Sequence, residues 1–84
     1  MDRKTEVAAR APLVKGDLEA TKPPSTRELE ILSMIADGRS TEETASALAL
    51  SRHTVKKHVD SVLRKLKANN RTHAVAQAIR KGLI

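Results

Sequence analysis

The pattern Ser-x-x-Glu occurs twice, at Ser25–Glu28 and at Ser40–Glu43, and each copy stands directly before an apolar run. Such a pair forms a capping box: the serine hydroxyl accepts from the backbone N–H three residues on, and the carboxylate accepts from the serine's own N–H. Two helix starts so close together leave room for one short helix between them. The chain is thereby committed to several short helices, and the remaining punctuation tells where they lie.

After Ser25 the stretch "STRELEILSMIADG" places Ile31, Leu32, Met34 and Ile35 on one face, and Gly38 can take the left-handed conformation that ends a helix. This predicts helix 1 over 26–37. Helix 2 is predicted over 41–48, with Ala45 and Leu48 facing inward. Only a few residues then precede Ser51, a good N-cap for helix 3 over 52–67. Two helices joined by so short a turn must cross steeply, which is the helix-turn-helix arrangement. "ANN" interrupts, and helix 4 follows over 71–81, capped by Asn70 or Thr72 and stopped at Gly82. The fold class is all-α: a compact four-helix bundle over residues 25–84. Residues 1–24 show no sustained period and contain Gly16, Pro12 and Pro23-Pro24, so they read as a flexible tail or linker.

Composition narrows what fills that frame. The chain has 84 residues and no Phe, Tyr or Trp, so the core must be built from Leu, Ile, Val, Met and Ala. It has no cysteine, which rules out disulfides and thiolate chemistry and suits a reducing compartment. No apolar run approaches the roughly 20 residues needed to cross a bilayer, and the N-terminus lacks a secretory apolar region. A soluble, cytoplasmic protein is expected.

Charge is strongly polarised along the chain. Residues 1–24 carry five basic and four acidic side chains, residues 25–50 two and five, and residues 51–84 nine and one. A local excess of that kind is self-repulsive and suggests a face that opposes a polyanion, although a solvated basic face on a soluble helix has the same charge pattern. The excess is densest in "SRHTVKKHVDSVLRKLK", residues 51–67. At 100° per residue, Val55, Val59, Val62, Leu63 and Leu66 share about a third of the wheel and form a core stripe. Opposite lie His53, Lys57, Asp60, Ser61 and Arg64, with Lys56 on one shoulder and Thr54, His58 and Lys65 on the other.

That division suits a helix in a major groove, where a central strip meets base edges and the shoulders meet phosphates. Lys57 can donate to guanine, Asp60 can accept from cytosine N4, and His53 can do either. Asp60 can equally form an ordinary helical ion pair with Lys56 or Arg64, four residues away. His53 and His58 are about 140° apart on the wheel, unlike zinc ligands spaced by three or four residues. No metal site, cofactor or catalytic constellation is read from the sequence, and an enzyme is not expected.

Residues 25–84 resemble the LuxR/FixJ/NarL-type (GerE-like) DNA-binding domain of bacterial transcription regulators. The resemblance is carried by "REL-E-IL-MIA-G", by "S-TVKKH" and by "KL---NRTHAV". It implies that helix 3 enters the major groove of double-stranded DNA, that helix 2 positions it, and that helix 4 contributes to a homodimer. By position it implies DNA contacts from Thr54, Lys56, Lys57, His58 and Asp60, and a phosphate contact near Arg71 and Thr72. With the shoulder residues, the phosphate set is Arg52, Thr54, Lys56, His58, Arg64, Lys65, Arg71 and Thr72; the base-reading set is His53, Lys57 and Asp60.

The chain departs from the family pattern at several points. Pro24 replaces a usual Leu, Glu42 a frequent Lys, Thr44 a usual aliphatic, and Lys67-Ala68 the common Gly-Val. Members of the family usually carry an input domain, which 24 tail residues cannot hold. A stand-alone regulator and an effector domain from a longer protein are both compatible with that. The alternative reading is a protein-interaction module on the same scaffold, acting on another regulator or on RNA polymerase. Leu29, Val75, Ile79 and Leu83 are its candidate contacts, although core packing is the expectation for Val75 and Ile79.

Overall fold

The computed structural model describes Leu18 and residues 20–84, so most of the tail read over 1–24 lies outside the described residues. Four helices follow: α1, Thr26–Ala36; α2, Thr41–Leu48; α3, Arg52–Leu66; α4, Arg71–Arg80. No strand occurs among the described residues. The all-α expectation holds, and α2 has the predicted bounds.

Each helix starts where a side chain captures an orphan amide. The Ser25 and Ser40 boxes both close, with serine N–H to carboxylate distances of 2.8 Å in each. Ser51 Oγ accepts from the Thr54 N–H at 3.0 Å, and Asn70 Oδ1 from the His73 N–H at 2.8 Å. Asn70 is therefore the cap of α4, and Thr72 lies inside the helix.

The helices stop by a common device. In each, the amide two or three residues past the last helical residue reaches back to a carbonyl five residues earlier: Arg39 to Met34, Leu50 to Ala45, Ala68 to Leu63 and Leu83 to Ala78. The residue before each of these amides has positive φ, namely Gly38, Ala49, Lys67 and Gly82. This is the Schellman closure, which satisfies carbonyls that the helix leaves unpaired. Helices α1, α3 and α4 each end one residue before the predicted boundary, because Asp37, Lys67 and Lys81 have already left the helical conformation. Ala49 and Lys67 adopt the left-handed region with a Cβ present, at φ 57° and 54°. That conformation costs roughly 1 kcal/mol relative to glycine.

Packing divides along α1. Consecutive residues Ile31 and Leu32, both fully buried, enter different clusters. Ile31 meets Ala45, Val55 and Val59, which joins α1 to α2 and α3. Leu32 meets Val62, Leu66, Ala74 and Ala78, which joins α1 to α3 and α4. Leu63 packs against both clusters. Adjacent positions on a helix point about 100° apart, so a two-residue step in α1 supports both halves of the domain. Buried Ala45, Ala74 and Ala78 let the helices approach closely, which is how a core without aromatic rings stays filled. Val75 is half-buried against this core, as expected, but Ile79 is 57% exposed. Helix α4 turns its alanines inward, and this rotates Ile79 outward.

Candidate nucleic-acid interface

Three residues, Ala49–Ser51, join α2 to α3. The turn is pinned at every position. Ala49 is left-handed, the Leu50 amide donates to Ala45 while its side chain packs on the Ile31 cluster, and Ser51 caps α3. Its rigidity fixes how α3 is presented.

One face of α3 anchors and the other is free. Val55, Val59, Val62 and Leu66 are buried, as the wheel predicts. Arg52, His53, Lys56, Lys57, Asp60 and Arg64 are exposed; Thr54 and His58 are half-buried. The Thr54 hydroxyl accepts from Ser51 Oγ at 2.9 Å, so it belongs to the cap as well as to the surface. Among the described residues Asp60 forms no ion pair with Lys56 or Arg64. It remains an exposed acid within a basic face. An open groove of about 470 Å³ runs between α3 and the start of α4, lined by Lys56, Val59, Asp60, Leu63, Asn70 and Arg71. The groove brings Lys56, Asp60 and Arg71 to one place.

Lys65 does not join this surface. Its ammonium lies 2.9 Å from Glu28 Oε1, and the two side chains are only 6% and 5% exposed. The shoulder position read from the wheel is the edge of the α1–α3 contact, and the four-carbon stem carries the charge inward. Lys65 is thus removed from the phosphate set. Glu28, read from the sequence as the carboxylate of the first capping box, is likewise buried. Burial raises its pKa, but the neighbouring Ser61 hydroxyl, the Ser25 N–H and the Lys65 ammonium outweigh that and hold it below the usual carboxylate range.

Two arginines have unanticipated partners on α2. Arg71 is half-buried and donates to the Thr41 hydroxyl at 3.2 Å, tying the first turns of α2 and α4 together. Arg52 lies 3.6 Å from the Glu42 carboxylate. Neither contact has a signature in local sequence, because each spans two helices. Thr72 is exposed at the start of α4.

A short rigid turn, a buried stripe and an opposed basic face make this a helix-turn-helix domain with α3 as its presented helix. Residues 23–78 match the GerE family, bacterial regulatory proteins of the luxR family. The chain belongs to that family. It is 44% identical over 66 residues to the uncharacterized transcriptional regulatory protein YxjL of Bacillus subtilis, covering 79% of this chain and 30% of that protein. It is 48% identical over 58 residues to the response regulator VraR of Staphylococcus aureus, covering 69% and 28%. Among solved structures it is similar to the response regulator ChrA of a heme-sensing two-component system, with a TM-score of 0.73, 30% identity, and coverage of 98% of this chain and 37% of that one. The chain spans about a third or less of the length of these curated relatives.

Proposed function

We propose that residues 25–84 form the sequence-specific, double-stranded-DNA-binding domain of a bacterial transcription regulator, with α3 in the major groove. One observation carries this: six polar and charged residues of α3, from Arg52 to Arg64, share a free face while its valines are locked into the core. Arg52, Lys56, Arg64 and Arg71 supply phosphate contacts, with Thr54, His58 and Thr72 beside them. His53, Lys57 and Asp60 face base edges. The protein acts by binding rather than catalysis, and it works in the cytoplasm, where bacterial DNA lies. No described helix is long and apolar enough to cross a membrane.

The test is binding to duplex DNA across salt concentrations, first with random sequence and then with sites selected from a random pool. Affinity should fall steeply with salt. Lys57→Ala should weaken selected sites by about 1–3 kcal/mol and leave random DNA nearly unchanged. Equal losses on both would make Lys57 a phosphate contact. No binding to any duplex at low salt would overturn the proposal and favour the protein-interaction module, whose partner is another regulator or RNA polymerase.

The exposure of Ile79 supports a second element of the reading, a two-fold homodimer through α4. A large aliphatic left exposed on α4 gives a second copy an apolar contact on the outer face of that helix. Sedimentation with and without a palindromic site should show two chains per site, and a single chain per palindrome would refute it.

A further inference from the structure

Two arginines of the phosphate set, Arg52 and Arg71, are already engaged within the molecule, and both engagements lead to the first turn of α2. They differ in kind. Thr41 is a neutral acceptor, so Arg71 keeps its full charge beside the α3–α4 groove. Glu42 is an anion, so the charge of Arg52 is offset before any ligand arrives.

Glu42 has no capping duty to account for its presence. The carboxylate that closes the α2 box belongs to Glu43, whose Oε1 accepts from the Ser40 N–H. Arg52 is the first residue of α3 and Glu42 the second of α2, so the pair bridges the two helices of the helix-turn-helix. The Arg52 and Glu42 side chains are 61% and 64% exposed. An ion pair in that much water shifts an equilibrium by only about two- to fivefold. It is therefore weak enough for a phosphate to displace, yet large enough to subtract from what the phosphate contact yields.

We propose, building on the DNA-binding reading above, that Glu42 is an internal counter-ion that withholds Arg52 from DNA phosphates and so lowers affinity for duplex DNA of any sequence. Glu42 sets how tightly the domain holds DNA without touching the residues that read it.

The experiment is fluorescence anisotropy on a short random-sequence duplex at several salt concentrations, with wild type, Glu42→Gln, Arg52→Ala and the double variant. Glu42→Gln should tighten binding about two- to fivefold and steepen the dependence of log K on log salt by roughly one. In the Arg52→Ala background the same change should produce no gain. The gain should also shrink as salt screens the pair. Thermal melting by circular dichroism should show Glu42→Gln fully folded, with no more than the slight loss expected on neutralising an exposed first-turn acid. Unchanged or weaker binding by Glu42→Gln would overturn the inference. So would an equal gain in both backgrounds, because the carboxylate would then repel DNA without restraining Arg52. If wild type itself fails to bind at low salt, the DNA-binding reading falls and takes this inference with it.

Discussion

The two capping boxes look alike in sequence and close with nearly identical bonds, yet they sit in opposite environments. In α1 the buried polar residue is the third of the helix, Glu28; in α2 it is the fourth, Thr44. The difference is a rotation of one position against the core. Glu28 enters with partners: the Ser25 N–H at 2.8 Å and the Lys65 ammonium at 2.9 Å. The Thr44 hydroxyl, fully buried, has no hydrogen-bond partner among the described residues. Glu43, the counterpart of Glu28, stays in solvent and bonds only within its own turn. A local motif therefore guarantees a helix start but not what the start is worth, because that depends on which residue the rotation buries.

Removing Glu28 should cost most. Glu28→Ala strands the Lys65 ammonium in the interior, and losing one partner of a buried pair costs about 3–5 kcal/mol. Urea unfolding followed by circular dichroism would measure it, and a loss as small as that of Glu43→Ala would erase the contrast. Replacing both charges, Glu28→Gln with Lys65→Met, should return stability to within about 1 kcal/mol of wild type. The same double variant should keep the wild-type salt dependence of DNA binding, whereas Lys56→Met should lower the slope by roughly one.

Acid should act through the same residue. The folded pKa of Glu28 is depressed, so its contribution is fully present above its ordinary value of about 4.5 and is lost as pH falls through the lower folded value. The acid limb of a melting-temperature profile should be shallower in Glu28→Gln, and superimposable limbs would contradict the assignment.

Thr44→Val should do the reverse of Glu28→Ala and stabilise by about 1 kcal/mol, since it replaces an unpaired buried hydroxyl with a methyl group. A destabilisation in the melting curve would mean that the hydroxyl does have a partner. Glu43→Ala should cost least, about 0.5 kcal/mol, the worth of an exposed first-turn acid.

The starts of the helices were legible because each depends on residues within one turn: Ser25, Ser40, Ser51 and Asn70 all cap where expected. The core stripe of α3 was legible for the same reason, since periodicity is local. Lys65 was misread because its partner lies 37 residues away on another helix. Ile79 was misread because periodicity favours large aliphatics, whereas close helix packing selects alanine; Ala74 and Ala78 form the inner face, Val75 packs at its edge, and Ile79 lies outside it. The end of α2 carried no glycine, so the left-handed Ala49 had no signature. On the candidate interface, residue types were readable, but the partners of Arg52 and Arg71 needed three-dimensional proximity.

The Glu28–Lys65 bond also bears on the order in which the chain folds. Its ends enclose most of the distance from the first helix turn to the last turn of α3, and closing so long a loop is entropically unfavourable until other contacts hold the ends together. Two charges must shed water at the same step. The bond is therefore expected to form after the transition state, once α1 and α3 have packed. A substitution at Glu28 should then accelerate unfolding while leaving the refolding rate almost unchanged, which the two limbs of a chevron plot would separate. On that account the buried pair acts as a latch on the finished domain, setting how long the presented helix stays in place.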